Sequence, residues 1–136
     1  MDTAERILRE FGRIAVVGIS EDPSRPSYGV SKYMHEQGYT ILPVNPKLDS
    51  WNGLPAYPDL ASVPKPVEVV DIFRKSELVG PVVEEAIRAG AKAIWMQEGV
   101  VNEEAARAAA GAGLLVVMDL CILKEHRARS IGPRGR

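Results

Sequence analysis

The sequence predicts a single α/β domain built on a doubly wound, mainly parallel sheet. Three observations carry that expectation. Apolar stretches rich in β-branched residues recur along the chain and lack the polar alternation of a half-exposed strand, which is the pattern of strands buried on both faces. Segments of helical spacing separate them, so the connections read as strand-helix-strand crossovers, which are right-handed and cover both faces of a parallel sheet. The chain has 136 residues with no internal repeat and no linker, which suits one core.

Each element has a local reason. Asp2 or Thr3 caps a short helix that runs to Phe11, with Asp2 and Glu5 at capping-box spacing, and Gly12 ends it. Residues 13–18, Arg-Ile-Ala-Val-Val-Gly, form the first strand. A Ser-, Pro- and Gly-rich loop follows, and residues 28–37 then place Val30, Tyr33 and Met34 at helical spacing before Gly38. Residues 40–44 make a short second strand interrupted by Pro43, and prolines punctuate a surface connection over 45–65 with room for one helical turn. The third strand spans 67–72; a helix over 76–89 starts near Pro81 or just before it and closes at Gly90. The fourth strand spans 92–97, Asn102 caps an Ala-rich helix over 103–110 with an acidic first turn, and the fifth strand spans 114–118. A last helix over 121–127 leads into a basic tail, expected to be flexible and solvated from about residue 128 to 136.

Composition narrows the function. Hydrophobic residues make up 46% and charged residues 26%, which argues against disorder and against a coiled coil. Seventeen Lys and Arg against 18 Asp and Glu give a net charge of −1, so the electrostatic footprint of a nucleic-acid binder is missing. No apolar run reaches the roughly 18 residues needed to span a bilayer, and the opening Met1-Asp2-Thr3 lacks a secretory design, so no membrane contact and a cytoplasmic location are expected. Cys121 is the single cysteine, and no Cys/His cluster has metal-ligand spacing.

Open α/β sheets bind ligands at the carboxyl ends of their strands, near the point where strand order reverses. The residues leaving the five strands are Gly18 and Ser20; Asn45, Pro46 and Lys47; Phe73 and Arg74; Gln97, Glu98 and Gly99; and Asp119 and Cys121. The first turn keeps a glycine that admits a phosphate but lacks the G-x-G-x-x-G dinucleotide pattern. Its longer loop brings Arg25, Ser27 and Gly29 to the start of the next helix, where free N–H groups, the helix dipole and a guanidinium suit a pyrophosphate; in the plainer reading Ser27 is only an N-cap. Where an NAD enzyme needs a ribose-binding carboxylate, this chain has Asn45-Pro46-Lys47. A cation there favours an additional ribose phosphate, as in NADP or the 3′-phospho-ADP part of coenzyme A.

Gly18-Ile19-Ser20, Pro23-x-Arg25-x-Ser27-Tyr28, Pro43-Val44-Asn45-Pro46, Asp71-Ile72-Phe73-Arg74, Trp95-Met96-Gln97-Glu98-Gly99-Val100 and Met118-Asp119-x-Cys121 together resemble the small stand-alone CoA-binding domain proteins. The chain is also similar to the CoA-binding domain of the succinyl-CoA synthetase α subunit, with its Rossmann-like fold. The resemblance implies a binding site for coenzyme A or an acyl-CoA. Gly18, Ile19, Ser20, Arg25, Ser27 and Tyr28 would run along the phosphates, and Asn45, Pro46 and Lys47 would lie near the 3′-phosphate. Phe73 and Arg74 would lie near the adenine or pantetheine, with Gln97 joining from the fourth strand end.

The phosphohistidine domain of those synthetases has no counterpart in this sequence. His35 and His126 read as residues of solvated helix faces, and no Ser/His/Asp set or close acid pair suggests another chemistry. The expectation is therefore non-catalytic binding. A small NADP-dependent oxidoreductase is the alternative, although no Tyr-x-x-x-Lys arrangement supplies its proton donor. A regulatory interaction subunit that senses CoA is a third reading, and the protein partner is left open. Trp95 reads as core and Trp51 as a local packing anchor. Cys121 is either a small buried residue or a thiol within reach of the thiol end of CoA.

Overall fold

The computed structural model describes residues 1–134, and its elements follow the sequence signals closely. The Asp2 carboxylate accepts the Glu5 N–H at 2.9 Å and starts α1 (Thr3–Glu10). β1 (Arg13–Val17) leads through the polar loop to α2 (Pro26–Glu36), and β2 (Thr40–Val44) follows. The connection after β2 folds a short hairpin of β3 (Ser50–Trp51) and β4 (Leu54–Pro55), then a single 3-10 turn, Leu60–Ser62. β5 (Val69–Ile72) comes next, and a 3-10 turn, Ser76–Leu78, runs directly into α3 (Val79–Arg88). The chain continues through β6 (Ala93–Met96), α4 (Glu103–Gly111), β7 (Leu115–Val117) and α5 (Ile122–Ala128). Asn102 caps α4 by accepting the Ala105 N–H at 2.9 Å.

The sheet is parallel in the order β2-β1-β5-β6-β7. Strand order reverses between β1 and β5. One face packs Ile14, Val16, Val69 and Trp95 with residues of α1, α2 and α5, and the other packs Ala15, Val70, Ile72 and Ile94 with residues of α3 and α4. This is the doubly wound, Rossmann-like arrangement, with helices on both faces of a sheet whose inner strands β5 and β6 are buried along their whole length.

Pro43 is tolerated because of where its missing N–H falls. Its carbonyl accepts from the Tyr57 N–H at 2.9 Å on the outer side of β2, and the N and C=O of one strand residue point the same way. The lost donor therefore faces the sheet's edge and leaves the β1 ladder intact.

The hairpin was not expected. Asn52-Gly53 is a two-residue turn signal whose residues both take positive φ, 49° and 79°. Trp51 is 1% exposed, packs edge-on against Tyr28 with ring centroids 5.6 Å apart, and donates its indole N–H to the Ser20 carbonyl at 2.8 Å. It anchors the first loop as well as its own segment.

Two expectations are corrected by the packing. The tail was expected to be solvated, yet Arg129 pairs with Asp2 at 2.7 Å, the Arg134 N–H donates to the Gln37 carbonyl at 2.7 Å, and the Arg134 guanidinium reaches the Phe11 carbonyl at 3.1 Å. Gly12 and Gly38 leave the room this docking needs, since a β-carbon on Gly38 would stand 2.9 Å from the Arg134 carbonyl oxygen. Gly135 and Arg136, also assigned to the tail, lie outside the described residues. His126 was expected on a solvated face; it is buried, with Nδ1 2.8 Å from the Tyr33 hydroxyl and Nε2 3.0 Å from the Gly132 carbonyl.

Candidate ligand cleft

The carboxyl ends of β1, β2, β5 and β6 open onto a cleft of about 960 Å³, and the starts of α2 and α5 close its sides. Its floor lies at the strand-order reversal. Gly18 leaves β1 at φ 86° and passes so close to the β5 exit that a β-carbon there would meet the Phe73 carbonyl oxygen at 2.3 Å. Only glycine fits both conditions.

The loop after β1 is held by its own polar groups. The Ser20 N–H donates to Ser27 Oγ at 2.9 Å, the Ser20 hydroxyl accepts from the Asp22 N–H at 3.0 Å, and Asp22 accepts from the Ser24 N–H at 3.0 Å. That bond and a second, donated by the Ser24 hydroxyl at 2.8 Å, hold the Asp22 carboxyl below its ordinary range. Ser27 therefore does not cap α2. The N-cap position is Arg25, which makes no side-chain cap. Pro26 has no N–H and the Tyr28 N–H goes to the Arg25 carbonyl at 3.0 Å, which leaves the Ser27 N–H, in a residue that lines the cleft, without a partner among the described residues.

Asn45 ties the second strand end to this loop. Its Nδ2 donates to the Ile19 carbonyl at 2.8 Å, and its Oδ1 accepts the Lys47 N–H at 2.9 Å, a local turn that sets Lys47 on the rim. Arg25, Lys47, Arg74 and Lys75 are all exposed cations lining the cleft, and none makes an ion pair within 4 Å among the described residues. At the β6 and α5 side the charge is neutralised, because Lys124 holds Glu98 at 2.9 Å; that carboxylate raises the Lys124 pKa. Val100, Cys121 and Leu123 make this side more apolar.

Gln97 closes the floor. It is 3% exposed, donates through Nε2 to the buried Asp71 carboxylate at 2.5 Å, and accepts the Ile122 N–H at 3.4 Å. Asp71 lies in β5 between Val16 and Trp95. Burial raises its pKa to about 7 against the lowering effect of the Gln97 hydrogen bond.

Of the expected site residues, Gly18, Ile19, Ser20, Arg25, Ser27, Asn45, Lys47, Phe73, Arg74 and Gln97 line the cleft. Tyr28 and Pro46 do not: Tyr28 turns toward Trp51, and Pro46 is an exposed turn residue. The expectation missed Lys75, which stands beside Arg74 and was readable as part of the same strand end. It also missed Pro26, Val30, Val100, Leu123 and Lys124 as lining residues, whereas Glu98 and Cys121, named among the strand ends, do line the cleft. Leu123 and Lys124 belong to the first turn of α5, which inspection of strand ends does not reach.

Such a cleft at the switch point of an open parallel sheet defines a ligand-binding domain of the Rossmann-like class. The chain belongs to the CoA binding domain family, whose model matches residues 12–127. It is 43% identical over 122 residues to the uncharacterized protein YneT of Bacillus subtilis, covering 90% of each chain. A solved structure of a hypothetical protein from Pyrococcus horikoshii superposes with a TM-score of 0.89 at 41% identity, over 96% of this chain and 91% of that one. The dinucleotide forming acetyl-coenzyme A synthetase 1 of Ca. Korarchaeum cryptofilum matches with a TM-score of 0.72 at 29% identity, over 83% of this chain but 27% of the synthetase. Among the described residues no helix is long and apolar enough to cross a membrane.

Proposed function

We propose that this protein binds coenzyme A, free or acylated, in the cleft and performs no chemistry on it. The observation that carries the reading is the set of exposed cations, Arg25, Lys47, Arg74 and Lys75, around a glycine-floored cleft beside the uncapped start of α2. Three phosphoryl groups on one ligand match that arrangement: the Ser27 N–H, the positive end of the α2 dipole and Arg25 suit the pyrophosphate, and Lys47 suits the ribose 3′-phosphate. Phe73 offers an apolar surface to the adenine or the pantetheine arm. Membership of the CoA binding domain family and the match to part of an acetyl-coenzyme A synthetase support the same ligand. The non-catalytic part of the reading rests on the sequence, which shows no phosphohistidine loop or catalytic set; in agreement, both ring nitrogens of His126 are engaged in structural contacts away from the cleft.

Calorimetric titration of the purified chain with CoA, acetyl-CoA, dephospho-CoA, NADPH and NAD tests the proposal. CoA or acetyl-CoA binds most tightly, and dephospho-CoA more weakly. Tighter binding of NADPH than of any CoA species would overturn the reading in favour of a nicotinamide enzyme.

A further inference from the structure

A buried carboxyl group lies directly behind the cleft wall, and the ligand reading leaves it without a role. Asp71 is 2% exposed in the central strand of the sheet, where an unpaired charge is costly. Its hydrogen-bond donor is the Gln97 amide. The other end of that amide is committed too: the Ile122 backbone has only an N–H to offer, so it must meet Oε1, which leaves Nε2 for the carboxylate. Asp71, Gln97 and the first residue of α5 therefore form one chain of contacts. Gln97 lines the cleft, as do Cys121 and Leu123 on either side of Ile122.

We propose that Asp71 is a positioning residue whose protonation, relayed through Gln97, is coupled to occupancy of the cleft. An ionised carboxylate accepts a stronger, charge-assisted bond from Gln97 than the neutral acid does, so the two protonation states hold the cleft wall and the start of α5 differently. A polyanion elsewhere in the same cleft disfavours the carboxylate through its field, and water expelled from beside Gln97 by the rest of the ligand acts in the same direction. Binding thus takes up a proton, and affinity falls as the pH rises through the titration of Asp71.

The neighbouring charges do not replace it in this role. On α1, Arg6 pairs with Glu10 and Arg9 with Glu5. On α2, Tyr28 packs on Trp51, Tyr33 meets His126, His35 is half-buried, and Lys32 and Glu36 are exposed. On α5, Lys124 is paired with Glu98, and His126 is held by Tyr33 and Gly132 at the far end of the helix; Cys121 and Arg74 open on the cleft. Burial raises the Asp71 pKa against the lowering effect of the Gln97 hydrogen bond, and at about 7 it lies where a change in pH near neutrality changes the protonation of the group.

The test has two arms, of which only the second rests on the coenzyme A reading. In the first, the side-chain amide of Gln97 and the backbone amide of Ile122 are followed by NMR in the ligand-free native chain from pH 5.5 to 8.5. Both shift with one midpoint near neutrality, and neither shows it in Asp71→Asn, which keeps an acceptor for Gln97. A flat Gln97 profile in the native chain would overturn the proposal whatever the cleft binds. In the second, CoA is titrated calorimetrically into both chains across the same range. Ionisation of CoA itself is common to both, so the difference isolates Asp71. Between pH 6 and 8.5 the native chain loses at least about threefold more affinity than Asp71→Asn, the effect of a half-unit shift in pKa on binding. Parallel profiles would overturn the coupling while leaving the ligand reading intact. Titration of Gln97 with no CoA binding by either chain would refute the ligand reading alone.

Discussion

Gly18 and Phe73 bring two strand exits into backbone contact: a β-carbon on Gly18 would stand 2.3 Å from the Phe73 carbonyl oxygen, in a residue already at φ 86°. The Gly18 N–H also donates to the Val44 carbonyl at 3.1 Å, and the Phe73 N–H to the Val17 carbonyl at 2.9 Å. Three strands thus meet at the floor of the cleft, so a disturbance there reaches both the fold and the ligand.

Gly18→Ala therefore has a twofold cost, a left-handed backbone and a clash with a carbonyl that is itself fixed. The variant is expected to lose about 2 kcal/mol of stability or more in urea unfolding, together with most CoA binding. A variant of native stability and affinity would mean that the β1 and β5 exits separate easily, against the contacts described.

Lys47 tests the phosphate assignment separately from the fold, since its side chain is exposed and its backbone turn is held by Asn45. Lys47→Ala is expected to weaken CoA by on the order of 1 to 3 kcal/mol and to leave dephospho-CoA nearly unchanged. Equal losses for the two ligands in calorimetry would move Lys47 to the pyrophosphate.

The parts of this molecule that were legible in advance are those governed by local rules. Strand periods, the Asp2 and Asn102 caps and the glycines at helix ends are set by neighbours in sequence. The hairpin was also locally encoded, in Asn52-Gly53, but the surrounding prolines masked it. What was not legible depends on contacts between distant residues. Ser27 serves Ser20 across the loop in place of its own helix, and Arg134 finds its acceptors only because α1 and α2 end side by side. For the same reason Asp71 and Gln97 read as separate polar residues at or near strand ends, although parallel pairing of β5 with β6 brings them together on one face.

Two buried titratable groups pull stability in opposite directions with pH. The folded pKa of Asp71, about 7, lies above its ordinary 3.8, so its contribution is complete below the lower value and is lost as pH rises through the higher one. Burial depresses His126 below its ordinary 6.5, against the opposing Gly132 hydrogen bond; its contribution is present above 6.5 and is lost as pH falls. The two partly cancel in the acid range, and single variants separate them. In urea unfolding, Asp71→Asn is expected to gain stability relative to the native chain between pH 4.5 and 8.5, and His126→Asn to lose less than the native chain between pH 7 and 5. Slopes of the opposite sign would contradict the burial of these side chains.

Cys121 offers a reading of where the ligand ends. It precedes α5, is 7% exposed, and what surface it keeps lies on the cleft that Val100 and Leu123 also line. A reagent that reaches the thiol in the folded state must therefore come through the cleft or wait for local opening. Alkylation by iodoacetamide, followed by intact mass, is expected to be slow in the native chain and slower still with CoA present, whereas adenosine 3′,5′-bisphosphate, which lacks the pantetheine arm, is expected to protect less. The contrast separates a ligand whose arm runs toward α5 from one held only by its phosphates on the Arg25 and Lys47 side. Equal protection by both would show that occupancy closes the cleft as a whole, and no protection by either would place the CoA thiol away from Cys121.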